Sequence, residues 1–175
     1  MFDLLLKGGT AITPQGAGLY DVAIKGEQIA AVTAPGAVPD EAASVVKDVT
    51  GKIVMPGGID PHVHCAWHMP LPDGSATTSG PPEDVSRAAL WGGTTMLIDF
   101  AARTEPKPMA DVIAERDQDW AGRVYCDYAY HLMLLGDLEP DLLAELPPLI
   151  QSGYPTVKIF TTCLLYTSPS PRDTS

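Results

Sequence analysis

Apolar and polar positions change their spacing partway along the chain. Over residues 1–54 the apolar runs are short and broken by turn pairs. Residues 3–6 and 10–13 predict short strands on either side of Gly8-Gly9. Residues 22–25 and 28–32 predict a hairpin closed by Gly26-Glu27, a two-residue turn signal. Residues 35–43 are a loop of Pro, Gly, Ala and acidic side chains. Residues 45–49 and 53–55 predict a further strand pair around Gly51-Lys52. No helical period runs through this stretch, so it predicts a β meander. A sheet this small buries too little apolar surface alone and needs a larger neighbour.

From residue 55 the pattern becomes strand–helix alternation. An apolar run ends at Asp60 and leads into Pro61-His62-Val63-His64. A helix is predicted over residues 82–92, with Glu83 and Asp84 in its first turn and Gly92-Gly93 at its end. Residues 94–100 form an apolar, β-branched strand. A helix follows over 106–121, with Thr104 as cap and Gly122 as stop. Residues 125–135 are the next strand, and 138–152 are helical with a break at Pro147-Pro148. The last strand spans 156–161. Alternation with short connections implies parallel strands joined by right-handed crossovers. Near-continuous apolar strands suit a sheet covered on both faces.

Four strands and three helices make either a complete doubly wound domain or the first half of a (β/α)8 TIM barrel, which needs about 250 residues. No GxGxxG or GxxxxGK[ST] follows a strand, so the nucleotide-binding version lacks support. The polar groups favour the barrel: His62 and His64 close the first long strand, and Lys158 sits inside the fourth. The predicted class is therefore α/β: residues 55–162 as the first half of a TIM barrel, preceded by part of a small β-sandwich at 1–54. Residues 163–175, CLLYTSPSPRDTS, break the pattern. They carry no apolar period and resemble the translation of a sequencing adapter, so they are expected to be a foreign, unstructured tail that interrupts the gene within a strand.

Composition narrows the partners. The formal charge is -11 with 11 basic residues scattered singly, which argues against a phosphate-backbone ligand. No apolar run approaches the ~20 residues of a membrane span, and the start, MFDLLLKGG, is no secretory signal. Cys65, Cys126 and Cys163 are odd in number and far apart, so they read as reduced thiols in a cytoplasmic protein.

The candidate chemistry centres on three side chains. Residues two apart on a strand point to the same face, so His62 and His64 aim together into the predicted barrel mouth. As a pair they are either two ligands to one divalent ion or ordinary loop histidines. Asp60 is placed to fix a histidine tautomer through a contact behind the ligand. Lys158 lies among Val157, Ile159 and Phe160, where an ammonium is costly. Either its head snorkels to solvent, or the neutral amine adds carbon dioxide to form a carbamate ligand. His131 reads as a satisfied core histidine, His68 as a loop residue, Asp99 as a structural hydrogen-bonding group, and Arg87 and Arg103 as solvated. Cys65 faces away from His64 and reads as packing.

The segments MPGGIDPHVH, GGTTMLIDF, DYAYHLML and GYPTVKIF, with LLLKGGTAITPQG and DVAIKGEQIAAV before them, resemble the hydantoinase and dihydropyrimidinase branch of the amidohydrolase superfamily. The resemblance covers residues 3–162. It implies a (β/α)8 barrel holding two divalent metal ions, zinc first among candidates that include manganese and cobalt. His62 and His64 match the ligands of the more buried ion, and Lys158 matches the carboxylated lysine that bridges both. It further implies hydrolysis of a small cyclic amide to an N-carbamoyl amino acid by a metal-bridging hydroxide, a later aspartate moving the proton. The branch commonly forms homotetramers. Two histidines and that aspartate are expected beyond the fourth strand, and where the branch often carries a tyrosine five residues after the lysine, this chain has Cys163. The 175-residue chain is therefore expected to be inactive alone. The competing readings are a non-catalytic assembly protein of the same branch and a metal-free α/β binding module.

Overall fold

A computed structural model describes residues 1–135 and 138–160. The expected foreign tail lies outside them. Two compact units are present, Met1–Pro56 and a second from Gly57 onward.

The first unit is one mixed sheet. Strands β1 (Phe2–Thr13), β2 (Gly16–Lys25), β3 (Gln28–Thr33), β4 (Ala43–Asp48) and β5 (Ile53–Val54) take the order β3-β2-β1-β4, with β5 also on β1. The expected hairpin forms, Lys25 opposite Gln28, with Gly26 at φ +60°. Two expectations are corrected. The strands placed on either side of Gly8-Gly9 are one 12-residue strand, whose register shifts between Leu6 and Gly9. Gly8 sits at φ +75°, and a Cβ there would lie 2.7 Å from Thr50 Oγ1, so glycine makes a bulge here instead of ending the strand. Strands β4 and β5 do not pair with each other: both run parallel to β1. The turn between them is tied to β1 instead, Val49 N donating to Lys7 O and Thr10 N to Lys52 O. The meander is limited to β1-β2-β3.

The second unit holds β6 (Gly58–Asp60), a hairpin of β7 (His68–Pro70) and β8 (Ala76–Thr78), α1 (Pro82–Trp91), β9 (Thr94–Arg103), α2 (Met109–Trp120), β10 (Asp127–Leu134), α3 (Pro140–Gln151) and β11 (Val157–Lys158). Strands β11-β10-β9-β6 form one sheet in that order, every pairing parallel. Each strand lies beside its predecessor in the alternation, with no reversal of order. That is the arrangement of successive barrel strands, not of a doubly wound sheet with a switch point. Among the described residues no helix is long and apolar enough to cross a membrane.

Packing explains where the elements depart from expectation. On one face of the sheet Leu97, Ala101, Leu132 and Leu134 bury against Met109, Val112 and Trp120 of α2. That cover lets β9 run on to Arg103. Helix α2 starts three residues late, because Pro108 stays extended as its N-cap and Arg103 Nε ties down Lys107 O; Thr104 does not cap. Helix α3 passes through Pro147-Pro148 without breaking. Prolines forgo two backbone donors there, but Leu142, Leu146 and Leu149 keep the helix on the core. The hairpin β7–β8 begins at His68, which reads from sequence as a loop residue. Its signal was Pro72-Asp73-Gly74-Ser75: Asp73 Oδ1 accepts from Ser75 N and Oγ, and Gly74 takes φ +84°, a turn with a sequence mechanism.

Candidate metal centre

The segment after β6 stays alongside β9 through Val63 N, which donates to Ile98 O at 3.1 Å. Val63 turns to the helix-covered core, so His62 and His64 emerge together on the opposite face. Their Nε2 atoms stand 3.1 Å apart, and the ring planes meet at 62°. Phe100, on the same face of β9, is their common floor. It lies 4.8 Å from each histidine ring, stacked under His64 and edge-on to His62. Lys158 Nζ also comes over this floor, 5.8 Å from the Phe100 centroid and 5.1 Å from that of Phe160. The three side chains singled out from sequence thus share one aromatic surface. Among the described residues no cluster of three His, Cys, Asp or Glu side chains forms; the nitrogen groups over the Phe100 floor are the two imidazoles and the Lys158 amine.

The surroundings lower the basicity of His64. Burial pushes its pKa below the ordinary imidazole value; Asp99 opposes this, and the neighbouring His62, Lys158 and Arg116 add to the lowering. A neutral ring presents a free nitrogen lone pair.

Asp60 behaves differently from expectation. Its Oδ1 accepts from the backbone N–H of His62 at 3.0 Å instead of contacting an imidazole. A short carboxylate reaches the amide two residues on more readily than a ring beyond it, so Asp60 shapes the turn into the histidine segment.

The anchor behind that segment is Asp99, fully buried on the helix-facing side of β9. Its Oδ2 accepts from Cys65 N at 3.0 Å and pairs with Arg116 Nη2 at 2.5 Å. Its Oδ1 accepts from Trp67 Nε1 at 3.0 Å and Phe100 N at 2.6 Å. Arg116 also donates to the Cys65 carbonyl and to Asp119. This ion pair grips the Cys65 backbone before Ala66, a non-glycine residue at φ +52°, and the Trp67 indole after it, and it sets Trp67 edge-on to His64 at 4.6 Å. Cys65 is buried against the core, and desolvation, with Asp99 nearby, pushes its thiol up to about 12. A thiol of that kind is inert.

His131 is bonded through both ring nitrogens, to Thr156 Oγ1 and Pro61 O. His68 pairs with Thr78 Oγ1 across the hairpin and borders an open hollow of about 270 Å³ with Trp67, Phe100 and Arg116. Arg87 is exposed, bonded to Asp84. Sequence reading passed over Arg116, Trp67 and Phe100. An aspartate inside the apolar run TTMLIDF signalled a buried partner, but nothing marked Arg116 among the charges of α2.

No family model matches the chain. It is similar to a D-hydantoinase of Geobacillus stearothermophilus, 35% identical over 157 residues, covering 89% of this chain and 32% of that protein. It is similar to a dihydropyrimidinase of Arabidopsis thaliana, 38% identical over 136 residues, covering 75% and 23%. Among solved structures, a dihydropyrimidinase from Brevibacillus agri superposes with a TM-score of 0.75 at 29% identity, covering 95% of this chain and 35% of that one. The chain spans about a third of the length of the D-hydantoinases it matches. The chain is thus a homologue of the D-hydantoinases over about nine-tenths of its own length and of the dihydropyrimidinases over about three-quarters of it.

Proposed function

We propose that these residues form the metal-holding first part of a cyclic amidohydrolase that opens a hydantoin or dihydropyrimidine ring to an N-carbamoyl amino acid. One observation carries this: the 3.1 Å between His62 Nε2 and His64 Nε2. Two imidazole nitrogens that share one zinc at ~2.0–2.1 Å and a tetrahedral angle stand about 3.3–3.4 Å apart, roughly 0.2 Å more than here. The pair therefore fits an ion with little movement, and the lowered basicity of His64 keeps its lone pair available.

Each residue then has a distinct task. His62 and His64 would hold the more buried of two divalent ions, zinc first. Lys158 would serve as the bridging ligand after its neutral amine adds carbon dioxide, forming the N–C bond of a carbamate and releasing a proton. Phe100 keeps water from beneath the site. Asp60 and Asp99 hold the backbone that carries the two rings. When bound, the ions would acidify a water molecule and polarise the ring carbonyl. A cytoplasmic, homotetrameric enzyme acting on a small cyclic amide, and on neither nucleic acid nor membrane, completes the proposal. The 175-residue chain alone is inactive in this scheme, because its donor set serves one ion.

The test is the complete reading frame of the parent gene. It should encode two further histidines and an aspartate beyond the fourth barrel strand, and its zinc-loaded product should convert hydantoin or a dihydropyrimidine to the N-carbamoyl acid. A complete product that opens neither ring overturns the function. Ring opening by the 175-residue chain at the rate of the complete enzyme overturns the ligand assignment.

A further inference from the structure

We infer that His131 is a positioning residue that sets the histidine segment and the lysine strand at a fixed separation. It rests on the reading of His62, His64 and Lys158 as one ligand set. His131 stands on β10, two strands from β6. Its ring lies 5.1 Å from that of Phe100 and reaches over β9 to the carbonyl of Pro61, the peptide that enters His62, with Nε2 to O at 2.8 Å. On its other side Nδ1 meets Thr156 Oγ1 at 2.7 Å, two residues before Lys158. One side chain thus ties β6, β10 and the start of β11 together across the floor of the site.

The partners fix the tautomer. A carbonyl oxygen only accepts, so Nε2 carries the hydrogen and donates to Pro61 O. In the neutral ring Nδ1 is then bare and accepts the hydroxyl hydrogen of Thr156. Both nitrogens are committed, so His131 has no lone pair left for a metal and no role in proton transfer. Its lever is geometric. Backbone pairing holds β10 to β9 and to β11, but β6 is only three residues long, and the histidines lie beyond its end. A ligand site tolerates misplacement of a few tenths of an ångström, and the Pro61 bond orients the peptide from which His62 departs.

Three substitutions separate the two bonds, read by amide hydrogen exchange in the 175-residue chain. Val63 N reports the histidine segment through Ile98 O, and Leu132 N reports the lysine strand through Thr156 O. H131Q can donate at the Nε2 position and should leave Val63 protected while Leu132 exchanges about ten-fold faster. H131N, shorter, should show the reverse. H131F keeps the aromatic contact with Phe100 and should release both. Should H131F fail to fold, the opposite responses of H131Q and H131N still decide. Cobalt absorption titration gives the second readout: H131F should bind Co²⁺ about ten-fold more weakly, with H131Q near the unsubstituted chain. Identical exchange at both amides in all variants, or a long-range ¹H–¹⁵N spectrum placing the His131 hydrogen on Nδ1, overturns the inference. A chain that binds no Co²⁺ yet shows the exchange pattern overturns the ligand reading and leaves the strut in place.

Discussion

Asp99→Asn removes one charge and one acceptor from the most heavily used carboxylate in the second unit. Four donors converge on its two oxygens, Trp67 Nε1 and Phe100 N on one, Cys65 N and Arg116 Nη2 on the other. The side chain is fully buried and Arg116 is 11% exposed, so solvent cannot replace what is lost. Whichever way the amide turns, its NH₂ faces two donors. Breaking a buried pair from one side costs about 3–5 kcal/mol, and each stranded buried donor about 1–3 kcal/mol. Arg116 keeps Asp119 and the Cys65 carbonyl, which puts the expected loss near the low end, about 3 kcal/mol. Arg116→Met should cost a similar amount, because it leaves the fully buried Asp99 carboxylate with three donors but no counter-charge. Urea unfolding followed by circular dichroism is the assay. With a slope of roughly 2 kcal/mol per molar, D99N should lower the midpoint by about 1.5 M. The double variant should lose at least ~1 kcal/mol less than the sum of the single losses. A D99N midpoint indistinguishable from that of the unsubstituted chain, or strict additivity, would refute the clamp.

Other substitutions probe separate parts of the fold. Trp120 is fully buried and stacks on Tyr128, yet its Nε1 has no partner among the described residues; Trp120→Ala should cost about 3–5 kcal/mol, whereas Trp120→Phe, which also removes the stranded donor, should cost clearly less in the same urea experiment. Gly8→Ala should destabilise the first unit by about 1–2 kcal/mol through its positive φ, and the Thr50→Ala background should recover only the part due to the close approach. The Cys65 thiol, pushed up to about 12 from an ordinary 9.0, keeps its proton in the folded state while the unfolded chain releases it. The unfolded state therefore binds fewer protons, and stability falls as pH rises from about 9 towards 12, by up to ~1.4 kcal/mol per pH unit. Cys65→Ala should flatten that slope between pH 9 and 10 in urea midpoints; an equal slope would contradict the burial of the thiol.

The legibility of the chain followed the range of the interactions. The strand–helix alternation after residue 55 was readable because apolar periodicity and glycine stops are local signals, and the parallel order of β6, β9, β10 and β11 follows from it. His62 and His64 sharing a face needed only the two-residue strand period. The first unit was read less well, since a glycine that makes a bulge and one that ends a strand look alike until Thr50 is found packed on Gly8. The late start of α2 and the unbroken course of α3 were set by tertiary contacts that outweigh cap and proline signals. Asp60 was given a long-range contact where a two-residue backbone turn won. The Asp99–Arg116 anchor and the reach of His131 to Pro61 join residues far apart in sequence, so no pattern of spacing announces them.

The metal centre itself is tested most directly by the zinc X-ray absorption spectrum of the chain loaded with one equivalent of Zn²⁺ in bicarbonate buffer. Convergence of His62, His64 and Lys158 predicts two imidazole nitrogens at ~2.0–2.1 Å and a carbamate oxygen at ~2.0–2.2 Å, with the imidazole signal reduced in His62→Ala and in His64→Ala. A spectrum unchanged by either substitution, or one dominated by sulfur at ~2.3 Å, would contradict it.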